Sequence, residues 1–203
     1  MSFIVSSFMP FPPVSWWKAV SRASSVILDK AEHFEKMSYR NKYYITGGNG
    51  MITLSIPLEK GREQRNPMHA VTICNTGKWQ VQHWRTLVSV YRRAPFFEHY
   101  EHSLQPLFER HYERLIDFNL ASIQWLQQQL KLAAALDTTE DYQPHYEHAT
   151  DLRNMKRSKE QYDNLPVYYQ LFEERNGFIP NLSMLDLLFA EGPAAKRILI
   201  QEN

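Results

Sequence analysis

One cysteine, Cys74, stands among the 203 residues, so no disulfide can close within the chain. A lone thiol fits a reducing compartment. It lies in the run Ala70-Val71-Thr72-Ile73-Cys74, which reads as a strand carrying a small buried thiol. Glycine is sparse too, at seven residues, and none falls in a nucleotide-binding pattern. There is no Walker loop, no Gly-x-Gly-x-x-Gly, no Gly-x-Ser-x-Gly and no Cys-x-x-Cys, which disfavours P-loop hydrolysis and serine-hydrolase chemistry. No motif names a cofactor. A surplus of one charge is also missing. Lys plus Arg number 23 against 22 for Asp plus Glu, a net charge of +1, so no global field draws in nucleic acid or an anionic membrane. Long apolar runs are lacking, and nothing approaches the roughly 18–20 residues of a membrane-spanning helix. The apolar N-terminal residues have no basic residue before Lys18 and are interrupted by Pro10, Pro12 and Pro13. A signal peptide needs a charged start and an unbroken apolar core. The expectation is a cytoplasmic protein without a nucleic-acid partner or membrane insertion. No sequence feature assigns an oligomeric state.

What is present is an ordinary globular balance, 43% hydrophobic and 22% charged, in a chain long enough to bury one substantial core. Phe3 to Ser7 reads as a first strand, ended by the proline-rich turn. Val14 to Arg22 has helical spacing, and Ser24 to Asp29 is a short apolar run closed by a carboxylate, as in a buried strand. Strand, helix, strand is a βαβ-like opening. Tyr39–Thr46 and Met51–Pro57 flank Gly47-Gly48-Asn49-Gly50, where Asn-Gly between β-prone runs signals a hairpin. After Gly77 the period changes to that of helices. Trp84, Leu87, Val88 and Tyr91 line one face of a helix stopped before Pro95. Further helices are expected over Leu104–Leu115, over Phe118–Leu132 with Asp117 as N-cap, and after Ser183 with Asp186 completing a variant capping box. The fold class is α/β: an N-terminal mixed sheet with a βαβ-like opening and a hairpin, followed by a mainly helical C-terminal half. The sheet should hold segments near 3–7, 25–29, 40–46, 51–57 and 70–74. A single domain over 1–203 is expected. It comprises a sheet-rich part (1–76), a helical part (77–136), a polar loop or lid (137–164) and a C-terminal helical segment (165–203). The chain should re-enter the core at Val167–Phe172.

Candidate chemistry clusters first between Asp29 and Asn41. Asp29 closes a strand at its carboxyl end, where open α/β sheets place ligand groups. Lys36, Arg40 and Asn41 follow, and an ammonium, a guanidinium and an amide together suit an anion such as a phosphate or carboxylate. Asn49 at the hairpin turn is a further substrate-binding candidate. The same residues also fit an internal salt bridge from Asp29 to Arg40 that holds the hairpin, and both readings stand. A second group lies on the helix carrying His83, Trp84 and Tyr91. A histidine suits acid–base work near neutral pH, while an aromatic core with a hydrogen-bonded histidine is the favoured reading of these residues. A local basic stretch, Arg153 with Lys156, Arg157 and Lys159, fits a lid over an anionic substrate or a solvated loop. The pairs His99/His102 and His145/His148, each with a glutamate between them, have helical metal spacing but define no third ligand. No metal is expected.

The ordered motifs resemble the WbqC-like protein family. They run from the proline-rich turn through Phe34-Glu35-Lys36-Met37-Ser38-Tyr39-Arg40-Asn41-Lys42, then Asn49-Gly50 leading into Leu54-Ser55-Ile56-Pro57. Trp79 with His83-Trp84-Arg85, Tyr91 with Ala94-Pro95-Phe96-Phe97, Asp117-Phe118-Asn119-Leu120, and Phe178 to Phe189 complete the match. The resemblance implies an association with surface-polysaccharide gene clusters. Many members resemble His-Gln-Pro at the end of the first strand, where this chain has Ser6-Ser7. If that histidine is the family's catalytic group, this chain lacks it. The implied function is a transferase or accessory enzyme that binds an anionic activated intermediate, such as a phosphate-bearing sugar. Asp29 or His83 would be the acid–base group, and Lys36 and Arg40 the clamps. The alternative is a non-catalytic binding or scaffolding protein.

Overall fold

A computed structural model describes residues 3–61, 63–157 and 164–201. Lys159 of the basic stretch lies outside the described residues. Strand β1 (Phe3–Ser7), helix α1 (Val14–Val20) and strand β2 (Ser25–Asp29) form the βαβ opening, with β1 and β2 parallel and Ser7 opposite Asp29. Ile4, Val5, Ser6 and Ser7 are all buried. Successive side chains leave a strand on opposite sides, so both faces of β1 are covered.

The β2 strand is followed by the antiparallel ribbon β3 (Lys42–Ile45) and β4 (Ile52–Ser55). Next come α2 (Trp79–Tyr91), α3 (Phe97–Glu109) and α4 (Leu115–Leu130). The chain then returns as β5 (Ala135–Thr138) and β6 (Ala149–Asp151). It ends with a short turn of helix α5 (Glu173–Asn176), then α6 (Met184–Glu191) and α7 (Ala195–Ile200). Helices α2, α3 and α4 pack in sequence, and α6 bridges α3 to α1.

Several details differ from the sequence expectation. The main sheet is purely parallel, in the order β5-β2-β1-β6, and the hairpin forms a separate ribbon. Residues 70–74 are not a strand of that sheet. They leave a 3-10 turn at Met68–Ala70 and make single bridges, Leu58 with Ile73 and Thr72 with Arg114. Their backbone groups find partners on two sides, Leu115 N–H to Val71 O and Cys74 N–H to Pro57 O, so an extended run forms without a ladder. Cys74 is half-buried, with its sulfur 3.1 Å from the Thr76 hydroxyl. Helix α4 starts at Leu115 after an Arg114 N-cap, which places Asp117 inside the first turn. Ser183 caps α6 through the Leu185 N–H, but Asp186 turns away to two tyrosines, so the reciprocal half of the box is not made. In 167–172 only Tyr168 and Gln170 are buried, and Val167 is 71% exposed.

The proline-rich turn is held from several directions. Buried Phe11 adopts a left-handed φ of 41°, an unusual conformation for a bulky residue that surrounding contacts must impose. Its N–H donates to the Ser122 hydroxyl and its carbonyl accepts from the Ser183 hydroxyl, while its ring sits among Tyr43, Phe108 and Phe118. The loop thereby ties β1 to α4 and α6.

Candidate functional site

Strand order decides where a ligand can sit. From β1 the chain steps outward to β2 and β5, then returns to lay β6 on the other side of β1. In open α/β sheets the crevice at such a reversal, outside the carboxyl ends of the strands, is the usual ligand position. A cavity of about 830 Å³ opens there. Its wall includes Asp151, at the end of β6, and Arg153 just beyond.

The floor is built from the turn after β2. Asp29 is wholly buried. Its Oδ1 accepts the N–H groups of Ala31 and Glu32 at 3.0 Å, and the Thr139 hydroxyl at 2.9 Å. Accepting one's own downstream N–H groups is the way an Asx turn reverses the chain, and it places Glu32 at the cavity. Its Oδ2 accepts from Arg153 Nη1 at 2.9 Å. The backbone of 30–34 is pinned on its outer side by His69 N–H to Lys30 O, Met68 N–H to Glu32 O and Phe34 N–H to Asn66 O. Asp29 organises the turn and does not itself line the cavity.

Arg40 reaches the cleft but pairs with a different carboxylate. Its Nε and Nη2 bind Glu32 at 3.1 and 2.6 Å, a two-pronged contact between buried side chains. Nη2 also donates to the Arg153 carbonyl. The Asn41 amide instead donates to Ile56 O and secures the ribbon.

Arg153 is the clasp of the site. Its five N–H donors are engaged by Asp151, Asp29 and the carbonyls of Gln143 and Pro144. The rings of Tyr142 and Tyr146 lie 5.4 and 5.2 Å from its guanidinium carbon. The segment 139–148, which joins β5 to β6 across the strand ends, is thus tied down at both Thr139 and Arg153.

Lys36 and Lys156 also line the cavity, paired with Glu63 at 2.7 Å and with Glu35 respectively. Arg65 lines it as well. Among the described residues, five cations (Lys36, Arg40, Arg65, Arg153, Lys156) therefore face four carboxylates (Glu32, Glu35, Glu63, Asp151). Two of those carboxylates are driven apart in acidity. Burial raises the Glu32 carboxyl above its usual range, against the opposing pull of Arg40 and a hydrogen bond with Ser7. Burial would also raise Asp151, but the Arg153 hydrogen bonds outweigh it and hold that carboxyl low. The two carboxyls of one cavity are thus shifted in opposite directions.

The other sequence candidates lie elsewhere. Buried His83 sits beside Tyr43 and Trp79. The Ser55 carbonyl 3.3 Å from Nε2 requires the proton there, so Nδ1 accepts from the Tyr43 hydroxyl at 3.1 Å. Burial lowers its pKa to about 4. Trp84 packs on Phe97 and Phe108. The Tyr91 hydroxyl donates to Asp186 at 2.6 Å. Asn49 accepts from Arg175 and anchors α5 to the hairpin turn. Among the described residues no three His, Cys, Asp or Glu side chains gather as a metal site, and no helix is long and apolar enough to cross a membrane. Glu32 and Tyr142 carry no sequence motif. Their only signal is a place in polar stretches flanking two strand ends.

In comparison with known proteins, the model of the WbqC-like protein family matches residues 8–161. No curated protein and no solved structure matches the chain. The aligned span takes in the Asp29–Arg40 turn, the ribbon, the segment 139–148 and Arg153.

Proposed function

The chain belongs to the WbqC-like protein family, and from that premise we propose that it binds an anionic activated intermediate of surface-polysaccharide assembly, as a transferase or accessory enzyme. The observation that carries this is the convergence of Lys36, Lys156, Arg40 and Glu32 on one cavity at the reversal of strand order. Lys36, its side chain 56% exposed, and half-buried Lys156 take the anionic group, with exposed Arg65 on the same wall. Arg40 lies behind, fixing Glu32 through two hydrogen bonds, and Glu32 handles the proton. Neither Asp29 nor His83 borders the cavity, so their roles are to shape the turn and to fill the core.

A non-catalytic binding role is the second reading, and two observations favour it. Lys36, Arg40, Arg153 and Lys156 each already have a carboxylate partner. Ser6 and Ser7, at the place where many family members resemble His-Gln-Pro, are internally bonded: Ser6 accepts from Trp16 Nε1 at 2.7 Å and Ser7 donates to the Arg153 carbonyl at 3.1 Å.

A thermal-shift screen of nucleotide sugars and acyl or aminoacyl donors tests the anion site. A ligand of the folded form raises the unfolding midpoint by mass action. Lys36→Ala/Lys156→Ala should abolish the shift without disturbing the buried Arg40–Glu32 pair. If no anionic donor moves the wild-type midpoint, or the double variant responds equally, the site does not hold such a ligand.

A further inference from the structure

One wall of the cleft is aromatic, and anion binding gives it no role. Tyr142 remains 53% exposed although it lines the cavity. The chain on either side of the ring is tied down: Thr139 is bonded to Asp29 before it, and the Gln143 and Pro144 carbonyls receive Arg153 after it. The Arg153 guanidinium lies over the ring. An aromatic ring backed by a guanidinium and still half-exposed in a polar cavity is suited to pack its open side against a second ring.

The charges in the same cavity say which kind of ring. Glu35 and Glu63 are accessible, their side chains 42% and 67% exposed. They oppose a bare anion, since like charges at short range repel. A carboxylate accepts hydrogen bonds, however, and hydroxyl groups supply them. Lys36 and Lys156 stand beside these same two carboxylates. The cavity therefore offers one aromatic face, several acceptors and a pair of ammonium groups. A nucleobase on Tyr142 would leave the acceptors largely unused. A sugar phosphate uses all three: its C–H face on the ring, its hydroxyls on the carboxylates, its phosphate on the lysines.

We infer that the cleft recognises a sugar phosphate through its sugar ring, with Tyr142 as the stacking platform and Glu35 and Glu63 as hydroxyl acceptors. This rests on the cleft being the anion site. The test is an NMR titration of the full chain with a hexose 1-phosphate, uridine monophosphate and inorganic phosphate, on wild type, Tyr142→Phe and Tyr142→Ala. The hexose 1-phosphate should bind most tightly and give contacts between sugar C–H protons and the Tyr142 ring in the wild type. Tyr142→Phe should keep that affinity, and Tyr142→Ala should weaken it about three- to tenfold, the scale of one aromatic contact, while leaving inorganic phosphate unchanged. Equal affinity for inorganic phosphate and the hexose 1-phosphate, or absence of the ring contacts, overturns the platform and leaves the anion site standing. Preference for uridine monophosphate replaces the sugar with a base. Failure of all three probes to bind removes the anion site and the platform together.

Discussion

At the scale of single residues, two buried titratable groups pull stability in opposite directions over the same pH range. The Asp186 carboxylate accepts from Tyr91 and Tyr168 at 2.6 and 3.0 Å, yet burial prevails and raises its pKa from 3.8 to about 6. The folded protein therefore binds this proton where the unfolded chain has lost it. The stabilisation is full below pH 4 and disappears as pH climbs through 6. His83 is the reverse case, lowered by burial from 6.5 to about 4. The unfolded chain takes up this proton first, so the stability it contributes is full above 6.5 and lost as pH falls through 4. Each shift is worth on the order of 3 kcal/mol across its window. Between about pH 4 and 6 the two slopes offset each other. Denaturant unfolding against pH should expose them singly. Relative to wild type, Asp186→Asn should gain stability with rising pH, and His83→Gln should lose it. Parallel curves for all three proteins would show that neither group titrates in this way. Both residues were visible in the sequence, but their settings were not. Asp186 read as half of a capping box because three-residue spacing is all a sequence reports, whereas its partners lie 95 and 18 residues away. Glu32 escaped notice for the same reason: a carboxylate in a polar loop reads as solvated until Arg40, eight residues on, buries it.

At the scale of elements, the connection between β5 and β6 is the informative one. It runs from one edge of the sheet to the other without a helix, and its hold on the strand ends comes through Thr139 and Arg153. Removing Arg153 would strand Asp29 as a buried charge and release two carbonyls. Breaking one partner of a buried pair costs about 3–5 kcal/mol. Arg153→Ala should lose that much in urea unfolding and become open to proteolysis within 139–148. Arg153→Lys should recover little, because a point charge cannot fill a forked, five-donor site. Asp29→Asn combined with Arg153→Ala should restore part of the loss by removing the orphaned charge. Cleavage confined to other loops would show that the connection is held by something else. Both edge strands were hidden: β5 straddles the end of the expected helical part (77–136), and β6 lies in the stretch 137–164 that reads as polar. β5 and β6 have four and three residues, mostly half-buried or exposed, so neither the alternation of a one-sided strand nor the apolar run of a buried one could develop. At 70–74 the reverse holds: Val71 and Ile73 are buried and alternate as a strand would, but their backbone partners are scattered.

At the scale of the whole molecule, the opening strand–helix–strand unit, the ribbon and the helical second half were all legible from period and turn chemistry. The position of the cleft was not, because it depends on a strand order that only the return of β6 beside β1 establishes. That order also separates the site from the other open surfaces. A second, smaller hollow lies at Val88, Arg92, Arg93, Leu171 and Phe172, where the end of α2 meets the segment before α5, and its two arginines offer an anion a competing destination. Hydrogen exchange distinguishes the two. The amides of the turn after β2 and of the β5–β6 connection lie in loops, which open at low free-energy cost, while those of α2 to α4 lie in packed helices. A ligand of the cleft should slow exchange in about residues 30–40 and 139–157 and leave 88–93 and 171–172 unchanged. With hexose 1-phosphate as the probe, that pattern should appear in wild type and vanish in Lys36→Ala/Lys156→Ala. Protection centred on 88–93 and 171–172, persisting in the double variant, would move the anion site off the sheet and onto the helical half.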